Sequence, residues 1–80
     1  MPSDGTVTIT VKLFASFRRG RFLEASRDYP TGARVADVVA DLGIEPGDIG
    51  MIFIDGKRAD PDRVLSVGDR LALFPLLGGG

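Results

Sequence analysis

The chain has no cysteine. That excludes disulfides, iron–sulfur ligation and thiol nucleophiles. It has no histidine either. Zinc and copper sites lose their usual ligands, and no metal site is expected. The side chain best suited to proton transfer near pH 7 is also missing. The first residues, MPSDGTVT, hold no apolar core of signal-peptide length, and no run of about 18 apolar residues occurs. A cytoplasmic protein with no membrane contact is expected. Ten basic residues against eleven acidic leave a net charge of −1. A dedicated nucleic-acid binder would usually be clearly basic, so no nucleic-acid partner is expected.

What is present is a chain of 80 residues, 44% apolar and 26% charged, the balance of an ordinary globular domain. That length makes one domain. Such a domain buries only about 60–65% of its unfolded surface, which leaves one modest core and little room for a deep pocket.

Residues 6–14, TVTITVKLF, alternate cleanly. Val7, Ile9, Val11 and Leu13 face one way and Thr6, Thr8, Thr10 and Lys12 the other, which predicts a half-buried strand. Residues 15–21 read as a turn or short helical piece, with Phe17 folding back onto the core. Residues 22–29 form a weaker second strand with Leu23, Ala25 and Tyr29 on one side. A hairpin with the first strand is the simplest arrangement. The period then changes. Val35, Val38, Val39 and Leu42 fall at i, i+3, i+4 and i+7, one helical face. Gly43 sits where a left-handed stop belongs. Thr31 is the nearest good N-cap type, and Asp37 in the first turn suits the helix dipole. Residues 45–50 read as loop and 51–54, MIFI, as a short apolar strand. Asp55-Gly56 signals a two-residue hairpin with a return strand near 57–59. Val64, Leu65 and Val67 are expected to pack loosely before the last strand, 70–74.

Hairpin, helix, then two or three short strands make an α+β domain, a mixed four- to five-stranded sheet with one main helix on one face. This is the β-grasp arrangement, with the first and last strands pairing in parallel at the centre. With a single helix, the other sheet face must meet solvent or a partner.

The side chains offer little chemistry. Asp37 and Asp41 share a helix face at i, i+4, as an acid–base pair would, but they read as a solvated helix surface. Asp60 and Asp62 flank Pro61 as turn residues do. Arg18, Arg19 and Arg21 lack the interleaved aromatics of a nucleic-acid stripe, and read as a solvated loop or a contact with an acidic partner. Gly47 and Gly50 read as turn glycines.

The chain ends RLALFPLLGGG. Glycine loses the most freedom on ordering and buries no side chain. A frayed terminus is one reading. The other is a working tail, thin enough to thread a narrow channel, whose terminal carboxylate is activated by ATP as an acyl-adenylate and then captured by sulfide or a thiol. Such an anhydride needs a site closed to water. The six residues Pro75–Gly80 could span up to about 20 Å.

Several segments together resemble the MoaD/ThiS sulfur-carrier family. They are VKLFASFR on the first strand, FIDGKRAD on the central hairpin, LSVGDRLALFP before the end, and the glycine terminus. The resemblance spans roughly residues 7–80 and is closer to the MoaD branch, the small subunit of molybdopterin synthase. It implies a ubiquitin-like fold over residues 1–74 and a flexible tail over 75–80. It implies a carrier, not an enzyme, with no cofactor of its own. A partner of the ubiquitin-activating type would use ATP and magnesium to adenylate the C-terminal glycine, and a thiocarboxylate would form next. Carried over by position, Gly80 would hold the adenylate and then the thiocarboxylate, with Gly79 beside it. Phe74, Pro75, Leu76, Leu77 and Gly78 would dock on the partner. That partner would be the large subunit of molybdopterin synthase or an equivalent sulfur acceptor. In the ThiS branch the sulfur goes to the thiazole of thiamin. A ubiquitin-like modifier and a non-covalent β-grasp binding module remain as alternatives.

Overall fold

The computed structural model describes residues 5–76. Its elements are β1 (Thr6–Leu13), β2 (Glu24–Pro30), α1 (Val35–Asp41), β3 (Ile49–Ile54), β4 (Lys57–Arg58) and β5 (Arg70–Pro75), with short 3-10 turns at Ala15–Arg18 and Pro46–Asp48. The five strands form one mixed sheet in the order β2-β1-β5-β3-β4. The expected parallel pair lies at its centre, with Val11 opposite Leu71 and Leu13 opposite Leu73. The other pairings are antiparallel.

Alternation along β1 and β5 decides which face is covered. Ile9, Val11, Leu13, Leu71 and Leu73 are buried together with Val35, Val38 and Val39 of α1. The helix has only seven residues, too few to persist alone in water, so this contact is what maintains it. Its N-terminus is not served by Thr31. Arg34 occupies the cap position, and its N–H donates to the Asp37 carboxylate at 2.8 Å. The N–H groups of Val35 and Ala36 donate to the carbonyls of Arg63 and Pro61 at 3.0 and 2.9 Å. A loop distant in sequence thus satisfies donors that a capping side chain would usually take. At the other end Gly43 adopts φ +72°, the left-handed stop that the sequence predicts.

Four expectations need correction. Leu23 is 51% exposed. It precedes β2, and Phe22 packs against the core from that segment instead. β3 begins at Ile49, two residues before the apolar run, because β5 continues to Pro75 and gives Ile49 a partner. Gly50 therefore lies in a strand, at a register shift, and not in a loop. Of Val64, Leu65 and Val67 only Leu65 is buried. Its N–H donates to the Ala33 carbonyl at 2.8 Å, which ties the segment to the start of α1. The Asp55-Gly56 turn is as expected, with φ +52° and +82°, the type I′ geometry that suits twisted strands.

In the sequence Asp69 reads, with Gly68, only as the turn into the last strand. It is buried, accepts from the Ser66 N–H at 2.7 Å and pairs with Arg63 at 3.0 Å. It holds the turn that feeds β5 into the centre of the sheet.

The packing can be tested at two positions. Leu73 is fully buried, and Leu73→Ala should lower unfolding free energy by about 2–5 kcal/mol in urea denaturation. Tyr29 donates to Asp41 at 3.0 Å. Burial first, then this bond and the Asp41 charge, push its phenol up to about 12 from 10.0. The folded state then keeps the phenolic proton after the unfolded state has lost it. Its contribution is complete below pH 10 and is lost as pH rises through about 12. Tyr29→Phe should remove that part of the alkaline loss, measured as stability against pH for both proteins.

Candidate functional site at the end of the last strand

β5 leaves the centre of the sheet with its side chains divided. Leu71, Leu73 and Pro75 are buried toward α1, and Ala72 and Phe74 are half-buried on the opposite face. The parallel register sets Leu13 beside Leu73, so Phe14 arrives beside Phe74. Their rings stack at 4.1 Å between centroids and 10° between planes. Phe53 from β3 meets Phe74 edge-on at 5.7 Å and 84°. The edge-on contact matches the ring quadrupole. Lys12 Nζ and the Arg18 guanidinium lie 5.4 and 5.5 Å from the Phe14 centroid, within cation–π range. The result is an aromatic patch with two cations at its border, on the sheet face opposite α1.

Phe74 packs within the domain, and its half-buried ring lies on the sheet face opposite α1. Pro75 is buried and pairs with Ile49, so it is part of the strand. Leu76 is 60% exposed, yet its N–H donates to the Asp48 carbonyl at 2.8 Å. The structure brings Phe74, Pro75 and Leu76 together as a fixed root. Leu77, Gly78, Gly79 and Gly80, which carry the rest of the expected site, lie outside the described residues.

The other candidates have structural work. Asp37 accepts from the Arg34 N–H and Asp41 from Tyr29, so the two carboxylates are not a pair. Arg21 donates to the Leu42 and Gly43 carbonyls at 2.8 and 3.3 Å and to Phe17 O at 3.1 Å. It satisfies carbonyls left free at the end of α1. Arg18 Nε donates to Leu13 O at 2.8 Å. Arg18 and Arg21, expected in a solvated loop or a contact with an acidic partner, are exposed and also pin that loop to the domain. Among the described residues no cluster of three acidic, histidine or cysteine side chains could hold a metal, and no helix is long and apolar enough to cross a membrane.

A sequence model of the ThiS family matches residues 11–80. The chain belongs to the ThiS family. No curated protein matches it. Among solved structures it is similar to a putative molybdopterin converting factor, subunit 1, from Pyrococcus furiosus, with 27% identity and a TM-score of 0.72 over 89% of this chain and 99% of that one. Small archaeal modifier protein 1 of H. volcanii is 24% identical with a TM-score of 0.72, again over 89% and 99%. A ubiquitin from Caldiarchaeum subterraneum is 16% identical with a TM-score of 0.63, over 95% and 100%. The last two likenesses establish the ubiquitin-like fold of this ThiS-family chain and nothing more.

The stacked pair is measurable without any partner. A double-mutant cycle of Phe14→Ala and Phe74→Ala should give a coupling of about 0.5–1.5 kcal/mol in urea denaturation. Additive losses would mean that the rings do not stack in solution.

Proposed function

We propose that this ThiS-family protein is a sulfur carrier acting through its C-terminal glycine, most specifically as the small subunit that supplies sulfur for molybdenum or tungsten pterin cofactor assembly. One observation carries the reading. The central strand β5 runs out of the core through Phe74, Pro75 and Leu76 beside an aromatic patch on the sheet face opposite α1, and the chain then continues for four residues, three of them glycine. The match with the putative molybdopterin converting factor subunit supports the cofactor branch.

The chemistry then belongs to the tail and to its partners. The Gly80 carboxylate attacks the α-phosphorus of ATP on an adenylating enzyme of the ubiquitin-activating type, and pyrophosphate leaves. A sulfide equivalent attacks the acyl-adenylate carbon and expels AMP, which leaves the thiocarboxylate. Magnesium and ATP are bound by that enzyme. Phe74, Leu76 and Leu77 dock the root, and Gly78 and Gly79 pass the narrow part of the partner's channel. The sulfur acceptor is a large subunit of the molybdopterin synthase kind. An exposed apolar residue beside an aromatic cluster is the usual anchor of such a contact. The family relationship keeps the thiamin thiazole branch as the second reading.

Intact mass after incubation with an activating enzyme from the same source organism, ATP, magnesium and sulfide should rise by about 16 Da as sulfur replaces oxygen. One extra residue after Gly80 should abolish the shift. An unchanged mass with both the molybdopterin-type and the thiamin-type activating enzymes would rule the carrier out. Lysine-linked conjugates without the thiocarboxylate would point to a modifier. Activity unaffected by the extra residue would leave a non-covalent binding module.

A further inference from the structure

Gly50 is a glycine for want of space and not for its backbone angles. Its φ is not among the positive values of the chain. A Cβ built on it would stand 2.8 Å from Pro75 O, 3.1 Å from Pro75 C and 3.2 Å from Leu76 Cα. All three are backbone atoms of the tail root, and none can rotate away as a side-chain tip would. Gly47, in the preceding turn, differs. It also lacks a positive φ, and a Cβ there would meet nothing within 4 Å.

The close approach sits at an irregular point of the sheet. Ile49 pairs with Pro75 and Met51 with Phe74, so Gly50 is the extra residue of a register shift between them. A bulge of this kind bends its strand and re-aims the neighbouring backbone. Here it brings the backbone of residues 48–50 over the end of β5. Beyond the bulge the Asp48 carbonyl accepts from the Leu76 N–H at 2.8 Å. Pro75 has no N–H to give. The Leu76 bond is therefore the last backbone tie on the described chain.

We infer that Gly50 is a positioning residue for the tail: by allowing the backbone of β3 to close over Pro75, it holds Leu76 in place before any partner binds. The inference rests on the tail-activation reading and adds to it where the tail begins. With Leu76 fixed, only Leu77–Gly80 remain to reach the reacting phosphorus. Four residues span at most about 14 Å, against about 20 Å for the six from Pro75. A preordered root also spares the complex the entropy of ordering that residue on binding.

The test compares Gly50→Ala with Gly47→Ala as its matched control. By NMR, the Leu76 amide of the unsubstituted protein should exchange at least about tenfold more slowly than in a free peptide. It should lose that protection in Gly50→Ala while Val11 and Leu73 keep theirs, and Gly47→Ala should retain it. In the adenylation reaction, Gly50→Ala should raise KM for the carrier roughly 5- to 30-fold, the effect of ordering one backbone residue anew, with kcat within about twofold. KM is measured at a temperature where circular dichroism shows the variant folded. If Gly50→Ala does not fold, the Leu76 amide of the unsubstituted protein decides: protection supports the clamp, and exchange at the free-peptide rate overturns it. An unchanged KM for a folded Gly50→Ala protein also overturns the positioning role. If the unsubstituted protein is not adenylated at all, the carrier reading fails while the amide measurement still judges the clamp.

Discussion

The parallel pairing of β1 with β5 is the constraint on which the rest of this molecule depends. The first and last strands lie side by side at the centre of the sheet. Every other element is arranged around that pair. α1 needs the apolar face that they jointly present, since seven residues cannot hold a helix alone. β2 and β3 flank the pair on either side. Because β5 is central, it is gripped from both sides as far as Leu73, where the Phe14 N–H donates to Leu73 O, and then through Met51 and Ile49 of β3 as far as Pro75. A terminus leaving an edge strand would have one such neighbour.

That arrangement divides the two faces between stability and contact. The face toward α1 holds Ile9, Val11, Leu13, Leu71 and Leu73. The other carries Phe14, Phe53 and Phe74, packed on one another and still half-exposed. Aromatic rings can serve in such a position because their mutual contact fixes them without removing them from the surface. The arginines of the 15–21 loop complete the division. Arg21 reaches the end of α1, Arg18 returns to β1, and the loop is held against the domain. The Arg18 and Arg21 side chains, which look available in the sequence, donate to backbone carbonyls.

Much of the fold was legible from local pattern. The alternation in 6–14, the helical face from Val35 to Leu42, the Gly43 stop and the Asp55-Gly56 turn are each dictated within a few residues, and the structure has them all. Misreadings arose where a residue's partner is far along the chain. Thr31 looked like the cap, but the donors at the start of α1 are met by Arg63 and Pro61. Gly50 looked like a loop glycine, but its reason lies 25 positions away at Pro75.

The candidate site divides in the same manner. The sequence by itself determined that side-chain chemistry has few resources here, without cysteine or histidine and with scattered carboxylates; the working tail came from its resemblance to the MoaD/ThiS family, beside a frayed terminus that composition left open. The sequence also determined the order of elements, through hydrophobic period and turn residues, which act over a few positions. Only the tertiary structure decided that Pro75 is strand, that Leu76 is tied to Asp48, and that three phenylalanines from three separate segments meet beside that root. Those facts depend on the register between strands and on excluded volume between backbones. Neither is encoded by any one segment, because each arises only when the chain folds back on itself.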